Sequence, residues 1–311
     1  MTTTRNHVIL GGNGIVGRET ARALHERGQV IASVGRRPST LAGVRSIVAD
    51  LLEPTAVAAA LDGADVAYLT AGIPYSTREW ARQWPFVMGA AIDAAVTHGT
   101  HLIFLDNVYA YGRVEGPMTE STPVRPSSKK GAVRAGLLTQ LAAAAAERGL
   151  SYTVARSADF FGPDAATSVL NSFAIDKIVA DKTPIWLYNA DLPHSMTYTP
   201  DIGDGLAVLG TASRASGQVW HLPTAPALTG REYLRMAGGA DRPITVMSMA
   251  TMRIGAIFLS DARESLELSY QNTESYVFDS SAFEAEFGVA PTPIEVAIAD
   301  TVGAAQAVAA R

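Results

Sequence analysis

Four glycines near the N-terminus have the spacing of a phosphate-binding turn. They lie between an apolar run and an amphipathic segment, and they are Gly11, Gly12, Gly14 and Gly17. Glycine is required where a strand turns sharply into a helix, where the backbone nears a pyrophosphate and where the helix packs on the strand. A helix beginning near Gly14 would direct its free N–H groups and positive dipole end at the phosphates. The pattern, with Asn13, Ile15 and Val16 between the glycines, predicts a dinucleotide site; an ordinary glycine-rich turn is the alternative.

The residues after the second and third predicted strands bear on the choice of dinucleotide. NAD enzymes usually place a carboxylate after the second strand, whereas this chain has Arg36 and Arg37 there. A guanidinium matches a phosphate dianion in geometry and charge. We therefore expect NADP (NADPH), with NAD less favoured and a solvated basic turn as the alternative. Asp50, followed by Leu51, could contact the adenine amino group, and a capping or loop aspartate is the alternative.

Composition narrows the class of protein. The chain has 311 residues, a net charge of −5, no cysteine and 48 % hydrophobic residues. The negative charge argues against a nucleic-acid surface, and the lack of cysteine excludes disulfides, thiolate zinc sites and a cysteine nucleophile. His98 and His101 have no apparent third ligand, so we expect no metal. Without a recognisable signal peptide or an apolar stretch long enough for a bilayer, we expect a cytoplasmic protein with no membrane contact.

Strand-like and helix-like segments alternate in the first half of the chain. The predicted strands are 7–11, 30–34, 45–49, 65–70, 101–105 and 151–156. The predicted helices are 14–28, 54–61, 78–98 and 127–148. Short connections between them indicate a Rossmann-like α/β fold, a doubly wound parallel sheet with helices on both faces.

The pattern becomes irregular after Arg156, where proline-containing pairs predict loops and short elements. The segments predicted beyond it are helices at 201–212, 229–238, 250–268, 280–287 and 293–309 and a strand at 217–222. We expect residues 1–160, completed by segments near 197–222, to form an NADP-binding Rossmann domain. Residues 161–311 would form mainly a small C-terminal substrate-binding part over the carboxyl ends of the strands.

Several motifs resemble those of extended short-chain dehydrogenases/reductases of the NAD-dependent epimerase/dehydratase type. They are LGGNGIVG at 10–17, LTAG at 69–72, YAYG at 109–112, TESTP at 119–123, AR at 155–156, FGP at 161–163 and YTPDI at 198–202. The resemblance covers nearly the whole chain and implies a coenzyme site that includes Ala71 and Gly72. It does not specify the reaction, because function lies in the site.

The catalytic helix departs from that resemblance. The family carries a tyrosine there, a lysine four residues on, and a serine or threonine at the end of the fifth strand. This sequence has Lys130, Arg134 and Asn107 at the matching positions. The helix is instead similar to that of the isoflavone-reductase and NmrA-like atypical reductases, except that Ala135 stands in place of a second arginine. The resemblance implies an acid/base lysine in the reductases of that branch and no catalysis in its regulators.

Residues four apart share a helix face, so Lys130 and Arg134 would both point at the nicotinamide. Close like charges and partial burial favour the neutral amine of a lysine, which could then relay a proton near neutral pH. Arg134 would hold the ribose or a substrate oxygen, and Asn107 would donate a hydrogen bond to a carbonyl. A solvated helix start, with its lysines in water, is the alternative.

The predicted activity is NADP-dependent reduction of a carbonyl or conjugated alkene in a small, largely apolar metabolite. The alternatives are a sugar-nucleotide-type epimerase or dehydratase and a non-catalytic NADP-sensing protein. Candidates for the substrate pocket are Tyr109, Asp159, Phe160, Phe161 and His194. Core packing is the alternative for the two phenylalanines, and an exposed loop position is the alternative for His194. The family resemblance also allows a homodimer through the helices at 78–98 and 127–148.

Overall fold

The computed structural model describes residues 4–212, 217–240 and 242–310. The strands are β1 (Asn6–Leu10), β2 (Val30–Gly35), β3 (Arg45–Val48), β4 (Val66–Leu69), β5 (His101–Asp106), β6 (Tyr152–Arg156), β7 (Asp159–Phe161), β8 (Ile185–Leu187), β9 (Pro193–His194), β10 (Met196–Tyr198), β11 (Val219–His221), β12 (Leu228–Thr229) and β13 (Thr245–Met247). The α-helices are α1 (Ile15–Glu26), α2 (Pro54–Leu61), α3 (Thr77–His98), α4 (Lys129–Arg148), α5 (Asp176–Val179), α6 (Thr199–Thr211), α7 (Gly230–Leu234), α8 (Met249–Phe258), α9 (Ser260–Leu266), α10 (Tyr270–Thr273), α11 (Ser281–Phe287) and α12 (Ile294–Ala309).

One seven-stranded sheet organises the fold, with strand order β11-β6-β5-β4-β1-β2-β3. Every neighbouring pair in it is parallel. The carboxyl ends of its strands therefore meet at one edge, where α/β folds bind ligands. The predicted Rossmann-like α/β fold is confirmed.

Helices cover both faces of the sheet, which explains why its strands are apolar runs rather than alternating ones. Val8 and Leu10 of β1 pack into the apolar cluster that includes α2, α3 and α4. Ile9 points the other way, into the cluster formed with α1 and α6. At Gly203 of α6 a Cβ would lie 2.5 Å from the backbone of Glu19 in α1. The two helices therefore pack closely because a glycine stands at their crossing.

The C-terminal part has an apolar cluster of its own, which includes Phe161, Ile175, Trp186, Tyr233 and Ile298. Two-stranded pairs formed by β7 with β10, β8 with β13 and β9 with β12 lie in this part of the chain. By contrast, α8 and α9 pack mainly against one another.

Two predicted helices differ from the structure, and several short elements were missed. The helix predicted at 250–268 is two helices, because Leu259 between them has extended backbone angles (φ −118°, ψ 120°). The helix predicted at 229–238 is α7 followed by a π-helical turn at Arg235–Gly239. A second π-helical turn at Asn171–Ile175, β7 to β10, β12, β13, α5 and α10 were not predicted. Segments of two to five residues are too short to establish a hydrophobic period.

Candidate functional site

Three glycines of the turn after β1, Gly11, Gly12 and Gly17, are packed so tightly that a side chain is excluded at each. A Cβ on Gly12 would lie 2.3 Å from Ser33 Oγ, and one on Gly17 would lie 2.5 Å from the carbonyl oxygen of Gly11. Gly11 has a φ of +94°, which favours glycine, and its own Cβ would lie 2.6 Å from Ala71 Cα. Ala71 therefore contacts the turn, whereas the exposed Gly72 has no neighbour that a Cβ would meet.

The start of α1 leaves backbone donors free. Gly14 is its N-cap, and no side chain caps the helix there. Ile15 and the buried Val16 form its first turn, whose N–H groups have no partner within the helix. An uncapped helix start beneath a glycine-rich turn fits a pyrophosphate, because the helix dipole and the free donors both favour an anion.

Asn13 joins this turn to the segment after β2. Its Nδ2 donates to the carbonyl oxygen of Arg37 at 2.7 Å, and its Oδ1 accepts from Ser33 Oγ at 3.3 Å. Arg36 and Arg37 are exposed, and the described residues show no ion pair for either. The backbone that carries these two unpaired arginines therefore lies beside the glycine turn.

Asp50 is an exposed residue in the turn after β3. Its Oδ1 accepts from the N–H of Leu52 at 3.0 Å, and Leu51 between them is half-buried. The carboxylate thus stabilises a local turn, as the alternative prediction of a loop aspartate has it. Its second oxygen stays available to accept a hydrogen bond from a ligand. A contact of Asp50 or Leu51 with adenine stays a prediction.

Lys130 lies at the start of α4 and is fully buried, so the solvated helix start is wrong for this residue. Its Nζ lies 2.6 Å from Glu264 Oε2 and 3.0 Å from Glu267 Oε1. It also lies within hydrogen-bond distance of Thr77 Oγ1 and the Glu264 carbonyl oxygen, and 4.5 Å from the centre of the Tyr75 ring. Burial opposes ionisation of Glu264, but hydrogen bonds from Lys130 and Thr77 lower the pKa of this carboxyl to about 2. The amine is therefore surrounded by negative charge.

Arg134, one turn further along α4, faces a different anion. Its Nε donates to Asp106 Oδ1 at 2.7 Å, and Asp106 Oδ2 accepts from Arg156 Nε at 3.1 Å. The guanidinium also lies 4.6 Å from the centre of the Trp84 ring. The expectation that Lys130 and Arg134 point at one spot is wrong, because separate carboxylates hold the two cations.

Asn107 and Tyr109 follow β5 at the carboxyl edge of the sheet. Asn107 Oδ1 accepts from the backbone N–H of Tyr109 at 3.0 Å, which leaves the amide NH₂ of Asn107 for another acceptor. The Tyr109 ring stacks on Trp80, and its hydroxyl hydrogen-bonds that of Tyr75. Burial raises the pKa of both tyrosines above the usual value, so both hydroxyls stay protonated at neutral pH.

Asp159 and His194 form a second polar group of the site. His194 Nε2 lies 3.0 Å from Asp159 Oδ2, and the imidazole stacks on Tyr276 with ring centres 4.4 Å apart. The Tyr276 hydroxyl accepts from the backbone N–H of Asp159 at 3.3 Å. His194 is buried, so an exposed loop position is wrong, whereas the Asp159 side chain is 35 % exposed.

The two phenylalanines after β6 have separate surroundings. Phe161 is fully buried and contacts Tyr198 in the C-terminal apolar cluster, so it does not line an open pocket. Phe160 is half-buried and packs on the cluster beneath α1 and α6. Core packing, which was the alternative prediction to pocket lining, describes both phenylalanines.

The fold and the glycine turn define a dinucleotide-binding protein of the Rossmann type. The profile of the NAD dependent epimerase/dehydratase family matches residues 7–211, and the chain belongs to this family. The resemblance drawn from the motifs is thereby confirmed. No match to the sequence was found among curated proteins.

Solved structures share the fold over nearly the whole chain. UDP-glucuronic acid 4-epimerase from Bacillus cereus, in complex with NAD, is 14 % identical with a TM-score of 0.81 over 97 % of this chain and 99 % of that chain. UDP-glucose 4-epimerase from Thermotoga maritima, with UDP-glucose, is 17 % identical with a TM-score of 0.80, covering 98 % of this chain and 99 % of that chain. A double mutant of dTDP-glucose 4,6-dehydratase from Streptomyces venezuelae, with NAD bound, is 18 % identical with a TM-score of 0.78, covering 97 % and 96 %. At these identities the likeness establishes the fold alone.

The described residues contain neither a membrane-spanning helix nor a metal-binding cluster. No helix in them is long and apolar enough to cross a membrane. Within the same residues no group of three or more His, Asp or Glu side chains is arranged to hold a metal ion.

Sequence reasoning missed several partners of the site, among them Tyr75, Asp106, Glu264 and Glu267. A weak signal existed for the two glutamates, because residues three apart in a helix share a face. Nothing local in the sequence links them to Lys130, from which they are separated by more than 130 residues.

Proposed function

We propose that this protein is a nicotinamide-dinucleotide-dependent oxidoreductase that interconverts hydroxyl and carbonyl groups on a small, hydroxylated substrate of the sugar type, with NADP as its preferred coenzyme. The observation that carries the proposal is a shared edge of the sheet. The glycine turn follows β1, Asn107 and Tyr109 follow β5, and Asp159 follows β6, so all of them lie at the carboxyl ends of parallel strands. The bound coenzyme would supply the hydride acceptor or donor.

The polarity of the site supports a hydroxylated substrate over a largely apolar one. Tyr75 and Tyr109 offer hydroxyl groups, Asn107 offers an amide, and Asp159 keeps a partly exposed carboxylate. An apolar ligand would exclude water from the hydrogen-bonding capacity that these groups still have, such as the Asn107 NH₂, and each buried group left unpaired costs about 1–3 kcal/mol. Membership of the epimerase/dehydratase family supports the same substrate class.

Each polar group has a distinct proposed task. Because their hydroxyls stay protonated, Tyr75 and Tyr109 can donate hydrogen bonds to a substrate oxygen. Asp159 and His194 share a short contact through which they can hold and return a proton, so we assign acid–base work to this pair. Lys130 supplies positive charge, and it can relay a proton only when one of its four acceptors is released.

The preference for NADP rests on Arg36 and Arg37. No carboxylate follows β2, and neither guanidinium has an ion-pair partner among the described residues. Titration of NADPH and NADH into the protein, followed by nicotinamide fluorescence, tests this directly. Replacing both residues by alanine should weaken NADPH binding about 10- to 100-fold, because charge-assisted hydrogen bonds contribute about 1.5–3 kcal/mol, and leave NADH binding unchanged.

Arg45→Ala is the control for that titration. Arg45 is an exposed arginine at the start of β3, at the opposite end of the β2–β3 pair from Arg36 and Arg37. Equal affinity of the native protein for NADH and NADPH would contradict the NADP preference. Failure to bind either dinucleotide would overturn the proposed function.

A substrate panel distinguishes the remaining alternatives. Reduction of NADP⁺ by free sugars, or conversion of UDP-glucose and dTDP-glucose, would support a sugar-type substrate; the sugar-nucleotide arm is favoured by the whole-chain fold likeness. Turnover of apolar ketones alone would overturn the substrate class. Dinucleotide binding without turnover of any compound would favour a sensor.

A homodimer through α3 and α4 is part of the proposal, and sedimentation equilibrium checks it.

A further inference from the structure

The hairpin formed by α8 and α9 is joined to the rest of the protein with little apolar contact. Met252 and Ala256 are the buried residues of α8. The end of α8 exposes large apolar side chains instead, namely Ile254, Ile257, Phe258 and Leu259. A segment that buries little apolar surface opens at a lower free energy than the core.

Two glutamates supply the polar attachment of this hairpin. Glu264 Oε2 accepts from the N–H of Thr77 at 2.8 Å and from its hydroxyl at 2.7 Å. Glu267, just past the end of α9, accepts from the N–H of Lys129 at 2.8 Å and from that of Lys130 at 3.4 Å. These donors are the first N–H groups of α3 and α4. In α3, whose N-cap Ser76 makes no side-chain hydrogen bond, Glu264 takes the place of a capping side chain, whereas in α4 Glu267 adds to the cap that Ser128 provides.

Both glutamates also bind the amine of Lys130. With Thr77 Oγ1 and the Glu264 carbonyl oxygen, Nζ has four acceptors within 3.0 Å, whereas an ammonium has three N–H donors. The side chain of Lys130 has no exposed surface. A substrate oxygen can therefore reach this amine only after the hairpin withdraws at least one carboxylate.

We infer that the α8–α9 hairpin is a lid over Lys130, and that Glu264 and Glu267 are its latches and control access to the amine. The inference rests on the proposed function only for the chemical role of Lys130. The closed state is held by ion pairs and helix-end contacts of Glu264 and Glu267. The side chains of these two glutamates are each 21 % exposed. Salt screens such contacts more than it affects apolar packing, so salt favours opening.

Backbone amide exchange measures this opening without coenzyme or substrate. The N–H groups of Thr77 and Lys129 donate directly to the latch carboxylates, whereas the N–H of Gly131 donates to Ser128 Oγ within its own helix end. Raising KCl from low to high concentration should speed exchange at Thr77 and Lys129 by tenfold or more. Exchange at Gly131 and at the core strand β5 should change by less than twofold.

A double variant, Glu264→Gln with Glu267→Gln, should reproduce this pattern at low salt. Its matched control is Glu274→Gln, because Glu274 forms an exposed ion pair with Arg113 and does not contact Lys130. If the double variant fails to fold, the salt series on the native protein decides the question. Exchange at Thr77 and Lys129 that follows the β5 amides at every salt concentration would overturn the lid, whatever the outcome of the dinucleotide titrations.

Discussion

Arg134 donates from Nε to Asp106 Oδ1 at 2.7 Å, in a contact where both side chains are buried. This contact fixes position 134 of α4 to the last residue of β5. Because Asp106 also pairs with Arg156 of β6, one carboxylate joins a helix to two neighbouring strands. The helix face shared by Lys130 and Arg134 is thereby divided between the latch glutamates and this buried carboxylate.

Asp106→Asn should destabilise the protein by about 3–5 kcal/mol, because it leaves two buried guanidinium groups without a compensating charge. Urea unfolding followed by circular dichroism measures the loss. Asp93→Asn is the control, since the ion pair of Asp93 with Arg148 is exposed and should contribute less than about 1 kcal/mol. A loss under 1 kcal/mol for Asp106→Asn would contradict a structural role for this ion-pair network.

Gly17→Ala should abolish dinucleotide binding. The added Cβ would lie 2.5 Å from the Gly11 carbonyl oxygen, so the turn must shift away from the phosphates. Gly136→Ala in α4 is the opposite case, because a Cβ there meets nothing within 4 Å and the helix should gain roughly 0.5–1 kcal/mol. Calorimetric titration with NADPH and thermal unfolding of both variants check the pair; normal binding by Gly17→Ala would contradict the placement of the phosphate site.

Lys130→Met should lower turnover about 10²- to 10⁴-fold, as expected when a charged group acting on the reacting atoms is removed. Lys129→Met is the matched control, because Lys129 is exposed and only its backbone N–H is used. Steady-state rates and NADPH affinity should be measured together. Full activity in Lys130→Met, with binding intact, would exclude Lys130 from the chemistry.

Stability should fall as the pH drops below 6.5. Burial lowers the pKa of His221 to about 3, although its hydrogen bond to the Asp279 carbonyl oxygen opposes the shift. Between pH 6.5 and 3 the unfolded chain therefore binds the proton first, and the stability present above pH 6.5 is lost by up to about 1.4 kcal/mol per pH unit for this residue. In His221→Gln this contribution to the slope should disappear. The free energy of unfolding is measured with urea at pH 6.5 and pH 5 for both proteins. An equal fall in the native protein and in His221→Gln would refute the assignment.

Sequence periodicity predicted the Rossmann half well. The long helices at 78–98 and 127–148 correspond to α3 and α4 within two residues, because each has a sustained apolar face and a glycine at its end. The glycine turn was found for the same reason: its backbone requirements are local. Local rules therefore predict the sheet, its helices and the glycine turn.

The partners of Lys130 and Arg134 could not be found by local rules. The i and i+4 spacing correctly places both cations on α4, but it contains no information on which carboxylates approach them. Asp106 lies in an apolar strand, and Glu264 lies in α9, where the extended backbone of Leu259 just before the helix interrupts a pattern that looks continuous. Such contacts depend on tertiary packing over 28 and 134 residues of sequence.

The outermost strand β11 has a consequence for protein synthesis. Strand β6 pairs with β5 on one side, but its other side is covered only by Val219–His221, which follow it by more than 60 residues. A nascent chain that has emerged as far as β6 therefore carries an open sheet edge, which is a template for pairing with another chain. The residues between the two strands must be translated before β11 can protect that edge, so the nascent chain is prone to misassociation on the ribosome during this interval.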